Sequence, residues 1–218
     1  MKYLILDSLI KFFDENGFIE FNNVFSSNDL EMLNLEIDKL NLFRHPSFIE
    51  NFKNSRDLFR KSNNFKKIIL NNKIISIIKS LSKEVQFRLA LDQVMFTKDK
   101  NPFDEKVEVN DFFSLQGLFL IFIVRLDESI LDPNLSINEV KEEDILPKKR
   151  GSIMFLKNTS FLNFKSMFEK PQKFLIVGFS NFNTLYKIAK KDPNPNFLKT
   201  LGYNFGDSLK NSTHPIVN

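Results

Sequence analysis

SLQGLFLIFIVRLD, residues Ser114–Asp127, holds an unbroken apolar run from Leu118 to Val124 that Arg125 and Asp127 close. A run this short, rich in Ile, Val and Phe, reads as a strand buried on both faces. It falls far below the roughly 20 apolar residues that a membrane-crossing helix needs. The segment is therefore expected to form the middle strand of the core.

On the N-terminal side of that strand the pattern is helical. Residues 2–15 read as an amphipathic helix with Leu4, Leu6, Leu9, Ile10 and Phe13 on one face, stopped by Asn16-Gly17. Asp7 and Lys11 interrupt the apolar run and no small-residue cleavage site follows, so a signal peptide is not expected. Gly17–Phe21 alternates as a short strand. A second helix begins at Ser26 or Ser27, with Asp29 and Glu31 in its first turn and Leu30, Leu33, Ile37 and Leu40 facing the core. Pro46 breaks it. Residues 47–83 continue as helices, the last two split by Asn71-Asn72. Val85 onward alternates, with Val85, Phe87, Leu89 and Leu91 on one side, as a half-buried strand does. Asp99–Asp111 reads as a charged loop carrying Pro102.

On the C-terminal side, residues 128–150 form the longest irregular stretch, of the kind that is usually functional or mobile. Gly151–Leu156 reads as a strand. Lys173–Ser180 and Leu185–Ala189 read as two more, joined by an Asn-rich turn. The tail from Asp192 carries one short helical piece near Phe197–Leu201. Helices first and strands afterwards argue an α+β fold with a mainly antiparallel sheet, because a parallel doubly wound sheet needs helices between the later strands. The 218 residues are read as a single domain: a helical part over about 1–83, a β-rich part over about 84–190 and a tail over 191–218.

Composition narrows the chemistry. There are no cysteines, which excludes disulfides, thiolate metal sites and cysteine nucleophiles and fits a reducing, cytoplasmic location. A net charge of +4 is spread among alternating acids and bases, so no stripe suited to nucleic acid is seen. The largest basic cluster, Lys148-Lys149-Arg150, reads as a solvated loop. The 26 Phe, with no Trp and three Tyr, fit codon bias in an AT-rich genome more than a chemical need, and a bacterial source is expected. Leu201–Asp207 has two glycines in a GxxxG spacing but lacks a Lys-Ser/Thr ending, so its glycines are expected to serve positive φ in a turning tail. Serine-triad, G-x-S-x-G and dinucleotide motifs are absent.

The segment Phe12-Phe13-Asp14-Glu15-Asn16-Gly17-Phe18-Ile19, then Asn23-Val24-Phe25-Ser26 and the helix from Asp29, resembles the opening of the phytanoyl-CoA dioxygenase-like family. LALDQVMFTK resembles the strand before that family's metal motif, LFLIFIVRLDES its strand ending in "aliphatic-L-D-x-(A/S)", and GSIMFL the strand leading to its last metal ligand. The resemblance implies a double-stranded β-helix, a cupin-like jelly roll with the N-terminal helices packed outside. It also implies Fe(II) held by two His and one carboxylate, with an open position for 2-oxoglutarate and oxygen.

The sequence departs from that pattern where the ligands should stand. The expected His-x-Asp/Glu interval, Asp104–Asp111, offers Asp104, Glu105, Glu108 and Asp111 but no His. The second His is missing near Ser160 and Phe161, and the arginine that grips 2-oxoglutarate falls near Lys173. Lys173 is thus the one expected 2-oxoglutarate contact. Asp104, Glu108, Asp111, His45 and His214 remain as metal-ligand candidates. The expectation is a non-catalytic binding or scaffold protein, a pseudoenzyme without cofactor, whose partner is a small molecule or protein. The alternative is an Fe(II)/2-oxoglutarate-dependent hydroxylase whose site is rearranged around His45 or His214.

Overall fold

The computed structural model describes residues 5–98, 100–127 and 146–218. Most of the irregular stretch expected over 128–150 therefore lies outside the described residues. Helix α1 (Asp7–Asn16) ends on Gly17, whose φ of 78° supplies the left-handed turn. Strand β1 (Phe18–Phe21) follows, then α2 (Ser27–Lys39). Ser26 and Asp29 cap α2 reciprocally: the Ser26 hydroxyl accepts the Asp29 N–H, and the Asp29 carboxylate accepts the Ser26 N–H. Then come α3 (Phe48–Asn54), a 3-10 turn at Leu58–Arg60, α4 (Asn63–Ile69) and α5 (Asn72–Ser82), with Asn71 capping α5 at the predicted break.

Strand β2 (Phe87–Phe96), β3 (Lys106–Glu108), α6 (Val109–Phe112) and β4 (Leu115–Arg125) follow. After them come β5 (Ile153–Lys157), β6 (Phe161–Asn163), α7 (Phe164–Met167), β7 (Lys173–Tyr186), a second 3-10 turn at Phe197–Leu201 and β8 (Ile216–Val217). Six strands make one sheet in the order β1-β5-β4-β7-β2-β8, every paired edge antiparallel; β3 and β6 form a separate antiparallel pair.

The sheet is apolar on both sides. Leu120, Phe122 and Val124 of β4 face the helices with Phe155, Leu175, Val177 and Phe179. There they meet Leu33, Ile37, Phe65, Ile77 and Ile78. Ile121 and Ile123, of opposite parity, face the other way with Met154, Leu156, Phe174 and Ile176, against Val107, Val109, Phe112, Leu162 and Phe164. Each buried side chain of this size contributes about 1.5–3 kcal/mol relative to exposure. That explains why β4 needs an unbroken apolar run.

Three readings are corrected. Strand β2 is buried on both sides, because apolar clusters cover both faces; a bulge between Leu89 and Leu91 puts these two on opposite faces, and Val85 lies outside the strand, exposed. The expected loop at Asp99–Asp111 contains β3 and α6. The two strands expected around Asn181–Asn183 are one strand, β7, which stays paired to β4 through register shifts at Gln116–Leu120. The elements β6, α7 and β8 are too short to leave a periodic signature.

Candidate functional site

The sequence places Asp92 and Gln93 in the middle of a strand whose one other polar residue is Arg88, and the structure builds a buried polar network on them. The segment Ser55–Asp57 runs antiparallel beside β2: the Val94 N–H donates to the Ser55 carbonyl and the Asp57 N–H to the Asp92 carbonyl, both at 2.9 Å. The two Asp92 oxygens then accept the N–H groups of Leu58 and Phe59, each at 2.9 Å, and so cap the 3-10 turn. Asp57 stands in the left-handed region at φ 56°, a conformation Asp tolerates better than most residues. Its Oδ2 accepts from Arg60 Nε at 2.9 Å, while its buried Oδ1 has no partner.

Burial pushes both carboxyls up. For Asp92 the charge of Asp57 adds to burial and takes it to about 8, so the pair favours holding one proton at neutral pH.

Gln93 shares the parity of Leu91 and Met95 and faces away from the helices. Its amide donates to the Phe52 carbonyl and the Ser55 hydroxyl, which fixes its oxygen to accept from Arg56 Nε at 3.0 Å. The guanidinium lies among the rings of Phe52, Phe113 and Phe197, at 5.3, 5.7 and 6.0 Å from their centroids. Its two terminal nitrogens grip Asp192 bidentately, at 3.1 and 2.9 Å. Asp192 also accepts the N–H groups of Ser114 and Asn194, at 3.0 and 2.9 Å. Beside this pair is a space of about 20 Å³ among Arg56, Asp57, Leu91, Phe113, Asn194 and Phe197, room for one water.

His214 closes the other end of the network. Arg60 Nη2 lies 3.0 Å from its Nε2, and a guanidinium can only donate, so Nε2 accepts and Nδ1 carries the proton, facing Tyr203 Oη and Thr213 Oγ1 at 3.1 Å. Burial, then the charges of Arg60 and Arg88, hold this imidazole down at about 3.

The residues expected to bind iron or 2-oxoglutarate do not gather. Asp104 is exposed and ion-paired with Lys191; Asp111 is exposed on α6; Glu108 is half-buried on β3. The inward positions of that interval are Val107, opposite Leu162, and Val109, and they join the same apolar cluster as Phe164. His214 is fully buried with both ring nitrogens on protein partners, which corrects its candidacy as a ligand. His45 is exposed in a loop whose backbone is pinned by the Asn51 side chain. Lys173 reaches the other way from the expected oxo-acid position: its Nζ binds Asn34 at 3.0 Å and Asp38 at 3.1 Å on α2. Ser160 donates to the Gly17 carbonyl and Phe161 is exposed. Lys149 and Arg150 border an open cleft of about 340 Å³ with Asn22 and Ser27. Gly202 and Gly206 have φ of 80° and 89°, as the turning tail requires.

Phe103, Phe112 and Phe164 pack edge-to-face or tilted with centroids 4.6–5.3 Å apart on the face away from the helices, flanked by Phe48, Phe52 and Phe168. Among the described residues no three His, Cys, Asp or Glu side chains could hold a metal ion together, and no helix is long and apolar enough to cross a membrane.

The sequence matches no protein-family model and no curated protein. The fold matches solved structures. One is the non-heme alpha-ketoglutarate-dependent carbocyclase SnoK from nogalamycin biosynthesis: TM-score 0.72 at 12% identity, over 98% of this chain and 97% of that one. A second is the epimerase SnoN in complex with Fe3+, alpha-ketoglutarate and nogalamycin RO: TM-score 0.66 at 12% identity, over 97% and 98%. A third is HygX from Streptomyces hygroscopicus with nickel and 2-oxoglutarate bound: TM-score 0.52 at 14% identity, over 82% and 88%.

These likenesses establish the fold, a mixed helix and strand architecture around an antiparallel sheet shared with iron and 2-oxoglutarate enzymes. They correct the expectation of no cofactor, because the neighbours are described as dependent on alpha-ketoglutarate, and SnoN holds it together with iron. The arrangement of the described residues does not itself fit iron: the inward side chains around the expected ligand positions are Val107, Val109, Leu162 and Phe164, which offer no donor.

Proposed function

We propose that the chain is an Fe(II)/2-oxoglutarate-dependent oxygenase of the jelly-roll class, related to the phytanoyl-CoA dioxygenase-like proteins, with a metal site rearranged relative to theirs. The observation that carries this reading is the end-to-end match to SnoK, over 98% of this chain and 97% of that one. His45 is the imidazole left for such a site once His214 is committed to Arg60 and Tyr203. Its loop runs into Phe48, whose ring meets that of Phe103, the neighbour of Asp104 in sequence, at 5.6 Å. No reaction step is derived through iron from this arrangement.

The test is anaerobic Fe(II) loading with 2-oxoglutarate. One equivalent of bound iron and succinate formation on admitting oxygen are expected, and both should fall at least tenfold in His45→Ala while the circular dichroism spectrum is unchanged. Absent iron binding and succinate would end this reading in favour of a second one, a protein that binds a ligand or partner without turning it over. The packed rings of Phe103, Phe112 and Phe164 favour that second reading, because they fill the face where a substrate would enter.

A further inference from the structure

We propose that Arg56 is the floor of a binding site for a monocarboxylic acid with an apolar body, and that Asp192 is a built-in competitor seated in it.

Arg56 does not depend on Asp192 for its position. Gln93 takes its Nε, three rings surround its plane, and Gln93 is itself fixed by Ser55 and the Phe52 carbonyl. Such a fork, planar, buried and aimed, is pre-organised for a carboxylate. The Ser114 N–H completes the donor set.

Asp192, in contrast, arrives on an irregular stretch after β7. Lys190 and Lys191 beside it are exposed, Pro193 and Pro195 follow, and its own N–H bonds no further than Ala189. Beyond Arg56, Asp57, Ser114 and Asn194 the lining is apolar, with Leu91, Phe113, Leu115, Phe197 and Leu198. Arg56 is the one cation among the lining residues and Asp57 the one anion, so a second carboxylate on the ligand would meet no positive partner. The site therefore selects one carboxylate joined to an apolar group, and 2-oxoglutarate with its two carboxylates is disfavoured. Binding requires withdrawal of Asp192, so the apparent affinity is reduced by the fraction of molecules in which it is withdrawn.

The probe is 3-phenylpropionate, with 3-phenylpropanol as the uncharged control, on the full-length protein. In the wild type the acid should speed tryptic cleavage after Lys190 or Lys191 at least threefold, and the alcohol should not. Asp192→Asn removes the competing charge and keeps one of its two acceptors: the amide oxygen can still take the Asn194 N–H, and the Ser114 N–H is freed for the ligand. By calorimetry it should bind the acid at least tenfold more tightly than the wild type. Adding Arg56→Met to that variant leaves no charge buried alone and should abolish binding.

The proposal is overturned if neither protein binds the acid, if the double variant binds it as well as Asp192→Asn, or if bound acid leaves cleavage unchanged. If Asp192→Asn does not fold, the wild-type cleavage experiment alone decides. None of these outcomes bears on succinate formation, so failure here is separable from failure of the oxygenase reading.

Discussion

His214 offers a titration whose sign and size follow from its contacts. The neutral ring accepts from Arg60 through Nε2, and a protonated ring would face Arg60 and Arg88 with a like charge in a fully buried position. Its value in the folded protein is about 3, against 6.5 for an ordinary histidine. The unfolded chain therefore binds more protons across this window. The stability due to the neutral ring is full above 6.5 and is lost as pH falls toward 3. Between pH 7.5 and 5 the loss amounts to about 2 kcal/mol.

Other groups titrate in the same range. Asp92 opposes the effect, because its folded value lies above its unfolded one and acid favours the fold through it. The measurement is thus a difference: urea unfolding of the wild type and of His214→Gln at pH 7.5 and at pH 5. Gln can still accept from Arg60 but does not titrate. The advantage of the wild type over the variant should shrink by about 2 kcal/mol on going to pH 5. A proton NMR titration supplies the direct check, with His45→Gln used to assign the two histidine signals. An advantage that is the same at both pH values, or a His214 midpoint near 6.5, would refute the assignment of a buried neutral ring.

Asp92 should show the opposite sign. Raising the pH from 7 to 9 ionises it through its value of about 8, and the protein should lose about 1 kcal/mol of stability that Asp92→Asn does not lose, read by urea midpoints. Phe164→Ala removes the ring that meets Phe103 at 4.6 Å and Phe112 at 4.8 Å; it should cost about 3–5 kcal/mol in chemical denaturation. Gly117 has φ 111°, and a Cβ there would sit 2.6 Å from Thr184 Oγ1 and 3.0 Å from Thr184 Cα. Gly117→Ala should therefore destabilise by about 2 kcal/mol or more, and adding Thr184→Ala should recover only part of it, because the backbone contact and the positive φ remain.

The elements read correctly from the sequence are those in which local chemistry and burial agree. Ser26 and Asp29 announce α2, and Asn71 announces α5, because capping is a short-range interaction. Leu118–Val124 announces β4, because a strand covered on both sides has no polar alternation to lose. The errors fall where long-range pairing overrides local signals. Asn181-Phe182-Asn183 looks like a turn, yet the chain continues as β7 because β4 bends with it at Gly117. Three-residue β3 finds its partner β6 more than fifty positions later, a pairing that no window of neighbouring residues reports.

The polar network was hidden for a related reason. Arg56, Gln93 and Asp192 come from the helical part, the β-rich part and the tail, and nothing in their spacing joins them; the local signal was the pair Asp92-Gln93 inside a mainly apolar strand. Of the two histidines, His214 holds the tail through Arg60 and Tyr203. A buried ion pair adds little net stability over apolar packing of the same volume, but a lone buried charge is strongly disfavoured. The Arg56–Asp192 pair therefore acts mainly on how the tail is seated. Any seating that moves Asp192 away leaves Arg56 among three phenylalanine rings without its bidentate partner. The same asymmetry makes an external carboxylate the natural replacement, since it is the one kind of group that could relieve that state.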